Sequence, residues 1–391
     1  MSARCRMARG GRVPDMVRLQ KELGSAPPPA GWFDEHPGVG PGRGGEPEEG
    51  PTGPSAYQAP GPRRRRAGES AEAMSHPPTP CLPARSGGPW RQLLAQAWTE
   101  AALRRPASVG ARRSGKKGQM TFQARFIREI AALGLPAGPG SSDPVTDSDL
   151  SALPGPVRRY MRFMGVLGRP RDWSFRLGFQ GRFRRRVNEA WMRCEAWQYN
   201  SAIAVARIMH LRIRLGGVVP LIGRDTYLNG HGRMLIKVVD RLVVGDGTGA
   251  EYDSGELVTY LNDAVLMAPS MLLVPAVSWL AADPNSFDVT LTDHGNTVTA
   301  CVTVDEQGRP QDFSTTDRFM ADPEDPRRLR RARWTTPVAE WAVVDGRPMP
   351  AAAAAVWHPP EGDFPYAEFR LEPGSVAFNV PPGQAWTPTG G

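Results

Sequence analysis

Between residues 173 and 371 the apolar side chains of this 391-residue chain recur at every second position, and one helical stretch interrupts the series. Trp173, Phe175, Leu177, Phe179 and Phe183 alternate with Ser174, Arg176, Gly178, Gln180, Arg182 and Arg184. A period of two gives a strand with one dry and one wet face. The pattern continues through 191–200, where Trp191, Arg193, Glu195, Trp197 and Tyr199 share a side. In 203–214, Ile203, Val205, Met209, Leu211 and Ile213 fall together, opposite His210, Arg212 and Arg214. Shorter runs follow at 225–229, 232–239, 241–245, 287–291, 298–304, 311–319, 338–343, near Val356 and at 366–371. Several are joined by tight turns such as Asn229-Gly230-His231-Gly232, Asp293-His294-Gly295-Asn296 and Asp345-Gly346. Strands linked this way pair antiparallel. The expectation is a mainly β (α+β) fold: a large curved antiparallel sheet or half-barrel.

The interruption is ELVTYLNDAVLMAPSMLL, residues 256–273. Leu257, Tyr260, Leu261, Ala264 and Val265 make an apolar stripe, with Glu256, Thr259, Asn262 and Asp263 off it. Asp253-Ser254-Gly255-Glu256 has capping-box spacing, so the helix is expected over 254–267. The concave face of a curved sheet needs a cover, and this helix is the candidate. The uncharged run 264–282 has the length of a membrane span, but Pro269 and Pro275 argue instead for a helix end followed by a buried strand. Two amphipathic helices precede the sheet. One carries Phe122, Phe126, Ile130 and Leu133; the other starts after Pro154 and carries Val157, Tyr160, Met161 and Met164. The division is therefore helices at 120–168, a β domain at 169–379, and a frayed tail at 380–391.

Residues 1–119 have a different composition. They hold 19 basic and 10 acidic residues, against 29 and 30 in the remainder, so the whole basic excess is N-terminal. Pro, Gly and Arg dominate, and apolar residues are too sparse for a core, which predicts disorder. One amphipathic stretch, 90–105, carries Leu93, Leu94, Ala97 and Ala101 on one face. Arg63–Arg66 with Lys116 and Lys117 form a basic arm of the kind that meets phosphates. After residue 119 the sole lysine is Lys237, and this preference for Arg suggests a bacterial, GC-rich genome in which open frames run on upstream. Lys116-Lys117-Gly118-Gln119 allow a purine-rich ribosome-binding site before Met120, so Met120 is expected to be the start. No secretory signal follows Met1, and the expected location is cytoplasmic.

Cys5, Cys81, Cys194 and Cys301 make no Cys-x-x-Cys pair, and Cys194 and Cys301 are expected as buried thiols. The histidines are scattered, and no metal or cofactor is expected. Candidate ligand-binding residues are Asn262 and Asp263 on the polar side of the helix, Trp197 and Trp334 as cavity indoles, and Glu195, Asp317 and Arg318 as charges in strands. Asp317 and Arg318, adjacent in a strand, would point to opposite faces.

The stretches TYLNDAVLMAPSMLL, VSWLAAD, DFSTTDRF and RWTTPVAEW, in this order, resemble an uncharacterised microbial family, domain of unknown function 6544. The resemblance spans roughly residues 153–379 and leaves out everything before Met120. The family has no established activity, so it implies no mechanism. The reading carried forward is a non-enzymatic binding or carrier protein for a lipid or other apolar or amphipathic small molecule. The alternatives are an enzyme using cavity carboxylates such as Asp317 or Glu195, and nucleic-acid binding through the basic arm.

Overall fold

The computed structural model describes residues 121–386 apart from 140–142, 216, 323, 324, 326 and 327. The basic arm, the 90–105 stretch and Met120 lie outside the described residues. Helices α1 (Phe122–Ala131), α2 (Asp147–Ser151) and α3 (Gly155–Phe163) come first. Then follow β1 (Ser174–Phe183), β2 (Met192–Ser201), β3 (Ala206–Leu215), β4 (Val219–Leu228), β5 (His231–Val238) and β6 (Leu242–Thr248). Helix α4 (Ala250–Met267) continues into a 3-10 turn at Pro269–Leu272. After it come β7 (Val277–Asp283), β8 (Ser286–Asp293), β9 (Asn296–Val304), β10 (Pro310–Thr315), β11 (Phe319–Ala321), β12 (Leu329–Arg331) and β13 (Arg333–Thr335). The last strands are β14 (Val338–Val344), β15 (Arg347–His358), β16 (Phe364–Leu371) and β17 (Ala377–Phe378).

Fifteen of these strands form one antiparallel sheet in the order β6-β5-β4-β3-β2-β1-β16-β15-β13-β10-β9-β8-β7, with β14 on β15 and β17 on β1. The two end strands do not pair with each other, so the sheet is open. It is also curved, because α4 packs on β4 and β5 from one arm and on β9 from the other. At one rim the arms meet. The Tyr227 hydroxyl donates to Asp293 at 2.8 Å, and the Asn296 amide donates to the Gly230 carbonyl at 2.7 Å. Asn229 and Gly230 turn the β4–β5 hairpin at positive φ (52° and 81°), and a Cβ on Gly230 would lie 2.5 Å from the His294 Cβ. Glycine is required there both by φ and by the approach of the other arm.

Helix α4 is the plug of this half-barrel. Every residue from Gly255 to Met267 is buried. Leu257, Leu261, Ala264 and Val265 join one core with Phe175, Leu177, Phe287, Val289, Val298, Val302 and Phe313. Helix α3 seals the β7–β8 arm: the Tyr160 ring lies tilted 5.2 Å from the Phe287 ring, and its hydroxyl donates to the Val265 carbonyl at 2.7 Å. Helix α1 lies on the convex face, where Phe126 and Ile130 meet Tyr199, Ala206 and Ile208.

Four local expectations are corrected. Helix α4 starts at Ala250 behind Gly249, without a capping box. Asp253 instead accepts the Gly232 N–H at 2.7 Å, because the first turn presses on β5 so closely that a Cβ at Gly232 would sit 2.0 Å from the Tyr252 carbonyl oxygen. Residues 277–283 form a largely exposed edge strand, since among the described residues no strand pairs with their outer edge. Asp317 and Arg318 lie in a bend between β10 and β11, outside any strand. Cys301 is disulfide-bonded, whereas Cys194 is the buried free thiol expected. Among the described residues no helix is long and apolar enough to cross a membrane.

Candidate functional site

The concave face of β1–β5 can be read row by row from the strand register. The row Phe175–Asn200–Arg207–Tyr227–Gly232 lies under α4, followed by Leu177–Gln198–Met209–Asp225–Met234. Beyond these two the polar groups stop. The next rows are Phe179–Ala196–Leu211–Gly223–Ile236 and Gly181–Cys194–Ile213–Leu221–Val238, with Phe183 and Met192 further out. From the Asp225 row to the Phe183 row is about 20 Å at the rise of a strand. Helix α4 covers the polar rows. Over the apolar rows Phe179, Phe183, Leu211, Leu215, Val219, Ile236 and Phe369 remain only half-buried. The result is a trough with an apolar wall and a charged inner end.

At that inner end Arg207 is the hub. Its guanidinium meets Asp263 at 2.6 Å and Glu256 at 3.1 Å, with all three side chains under 10% exposed. Gln198 donates to the same Asp263 oxygen at 2.7 Å, and Thr259 donates to Glu256 at 3.0 Å. Thr336 donates to the Asn262 carbonyl oxygen, tying α4 to the segment after β13. Burial works against the charge of Arg207, but Asp263 and Glu256 outweigh it and hold the guanidinium protonated. Burial, followed by the neighbouring Asp225, pushes the Glu256 carboxyl up to about 7 against the pull of Arg207 and Arg318. Asp225 is also raised, by burial, with Arg207 and Arg318 opposing. It keeps some accessible surface while protein encloses it, as befits a group lining a recess, and it accepts no hydrogen bond from a described residue.

Arg318 forms the lip of this cluster. Its guanidinium lies 4.3 Å from the Trp334 ring centroid and donates to the Tyr366 hydroxyl at 3.1 Å, which also accepts the Trp334 indole N–H at 3.1 Å. Tyr366 reaches this position through an irregularity in register. Ala355 pairs with Ala367 and Val356 with Pro365, so Tyr366 is the extra residue of a bulge.

Of the candidates from sequence, the structure gathers Asn262, Asp263, Arg318 and Trp334 around this inner end. It places the other three elsewhere. Glu195 is on the convex face, paired with Arg212 at 2.5 Å. Trp197 is on the same face, 4.9 Å from Trp386, in a groove of about 410 Å³ shared with Gln123, Gln180 and Ser375. Asp317 accepts the Thr299 N–H at 2.9 Å, near Arg331. Sequence reading passed over Arg207, Asp225, Glu256, Gln198 and Tyr366. A signal existed for the first: Arg207 is in phase with Met209, Leu211 and Ile213, a charge on the apolar face, which requires a buried partner. Tyr366 had no such signal, because a bulge cannot be read from alternation. Among the described residues no group of three or more His, Cys, Asp or Glu side chains is placed to hold a metal.

Residues 143–369 match the model of a family of unknown function, DUF6544. The sequence matches no curated protein. The solved structures that are similar at low scores include these three. A LolA superfamily protein from Nitrosomonas europaea is 12% identical, with a TM-score of 0.32 over 59% of this chain and 93% of that one. A DUF1329 family protein from Desulfovibrio piger is 11% identical, with a TM-score of 0.31 over 61% and 95%. A β-barrel-like DUF1849 protein from Brucella abortus is 10% identical, with a TM-score of 0.20 over 53% and 98%.

Proposed function

The chain belongs to the DUF6544 family, and from its concave face we propose that it is a binding or carrier protein for an amphipathic small molecule. One observation carries the reading. On a single sheet face, two polar rows give way directly to apolar rows in which Phe179, Leu211, Ile236 and Phe183 stay half-buried around a buried row of Cys194, Ile213, Leu221 and Val238. Apolar side chains in the β8–β10 arm are taken to near-complete burial, whereas Phe183, Leu211, Leu215, Val219, Ile236 and Phe369 along the trough keep accessible surface beside the buried Ile213, Leu221 and Val238. A ligand with an apolar tail and a polar head would bury that surface and place its head at the Arg207 cluster. Native mass spectrometry of the purified full chain tests this, together with uptake of the neutral dye N-phenyl-1-naphthylamine. A co-purifying lipid-sized mass, or saturable dye uptake that lipid displaces, is the expected result. A chain that is empty and takes up no dye would sink the reading.

A second reading rests on the Glu256 carboxyl, whose pKa near 7 suits proton transfer. It ranks below the first because Glu256 is 2% exposed and already engaged by Arg207 and Thr259. Turnover of a bound ligand that disappears in Glu256→Gln would reverse the ranking.

A further inference from the structure

The inner end of the trough contains two guanidinium groups and three carboxylates. Arg207 is used by Glu256 and Asp263, both within 3.1 Å. Arg318 is engaged by the Tyr366 hydroxyl and the Trp334 ring. Asp225 is the carboxylate left over. It faces the charges of Arg207 and Arg318 without a hydrogen bond to either, and it sits in register with Met209 and Met234 at the boundary of the apolar wall. A half-buried carboxylate that accepts no hydrogen bond from a described residue is poorly compensated, and a positively charged donor arriving along the trough would compensate it. The wall beyond it, from Leu211 and Gly223 to Phe183, accepts an apolar tail.

We propose that the head group recognised at this site is cationic, an ammonium carried by an amphipathic chain, and that Asp225 is its acceptor. The inference rests on the amphipathic-ligand reading above and specifies its polar half. An anionic head would approach Asp225 and Glu256 with like charge, in a cluster whose three carboxylates outnumber its two guanidinium groups. Cation binding and proton binding compete here. Glu256 is faced by Arg207 of β3, Asp225 of β4, Arg318 of the β10–β11 bend, and Thr259 and Tyr252 of its own helix. As its carboxyl takes a proton below about 7, the cluster loses the negative charge that an ammonium needs. Affinity for the cation is therefore higher at pH 8 than at pH 6.

The experiment uses the full chain with bound N-phenyl-1-naphthylamine, displaced by dodecylammonium or by dodecanoate below their micellar concentrations. Dodecylammonium is expected to displace the dye at pH 8 at a concentration at least tenfold lower than dodecanoate. The preference should shrink severalfold at pH 6, and should fall below twofold in Asp225→Asn while that variant still binds the dye. Equal or better displacement by dodecanoate overturns the proposal, and so does a full preference in Asp225→Asn. If that variant does not fold, the wild-type titration decides: a preference unchanged between pH 6 and pH 8 overturns it. Failure of the dye to bind at all would instead remove the amphipathic-ligand reading itself, and this inference with it.

Discussion

The two arms of the sheet are built from the same alternation but are covered differently. In the β8–β10 arm the inward residues Phe287, Val289, Val298, Val302 and Phe313 have no accessible surface, because α3 and α4 both press on them. In the β1–β5 arm α4 covers the polar rows, and beyond them Phe179, Phe183, Leu211 and Ile236 stay half-buried, although Cys194, Ile213, Leu221 and Val238 between them are buried. Among the described residues one arm satisfies its whole apolar face and the other leaves part of it half-buried. A buried apolar face contributes stability at about 25 cal/mol per Å² removed from water. A half-buried one in a concavity leaves part of that contribution to whatever binds there. The closed arm therefore supports the fold, and the open arm supports the proposed ligand.

The plug separates these roles, so the largest expected effect comes from breaking it. Leu261 is 1% exposed inside the shared core. Truncating such a leucine costs about 2–5 kcal/mol, and Leu261→Asp adds an unpaired buried charge. Against a net stability of about 5–15 kcal/mol, this variant should be unfolded or aggregated, and a cooperative wild-type melting curve would contradict the role of α4 as plug. Next comes Arg207→Ala, which strands Glu256 and Asp263 without their counter-ion. Removal of one partner from a buried ion pair costs roughly 3–5 kcal/mol. Urea denaturation at pH 7 measures it. A loss under about 1 kcal/mol would mean that the cluster is not the anchor of α4 on β3.

These two residues also show what was legible in the sequence. Leu261 was readable because helical spacing and burial agree, and the same agreement gave the antiparallel sheet and its covering helix. Arg207 was not picked out, although its position in phase with Met209, Leu211 and Ile213 marks it as a charge on the apolar face. Its partners lie on α4, some fifty residues away, and alternation within a strand carries no information about what packs across it. Glu256 was misread for a related reason. Capping-box spacing is local, whereas the actual start at Ala250 is fixed by tertiary contact with Gly232. The division of the concave face into polar and apolar rows needs the register of five strands, so it appeared only in the structure.

A smaller effect distinguishes the charged rows from the apolar ones through pH. The Glu256 carboxyl sits at about 7 in the folded chain against an ordinary 4.5, chiefly because of burial. The folded state thus binds this proton more tightly than the unfolded state. The stability it contributes is full below about 4.5 and is lost as pH rises through 7. Glu256→Gln removes that dependence and keeps Asp263 as a partner for Arg207. The melting temperature of the variant relative to wild type should therefore rise between pH 5 and pH 8. A constant difference would show that Glu256 is already ionised in the folded protein at pH 5.

The smallest effect on stability gives the sharpest contrast between the arms, because the same atoms can be added to each. Ala300 is 2% exposed on the inner face of β9. Ala300→Leu forces extra methyl groups into a filled core, which costs about 1–3 kcal/mol. Gly223 lies in the middle of the open wall, and among the described residues a Cβ there would meet only Leu211 atoms at 3.9 Å, an ordinary contact. Gly223→Leu places its side chain in the trough itself. Its melting temperature should stay close to wild type, while N-phenyl-1-naphthylamine uptake falls at least tenfold, since the added side chain occupies the space for the tail. The two variants thus exchange their effects: Ala300→Leu loses stability and keeps dye uptake in whatever fraction stays folded, whereas Gly223→Leu keeps stability and loses uptake. If Gly223→Leu instead destabilised the protein as much as Ala300→Leu, the open arm would already be filled from within, and the distinction between the arms would fail.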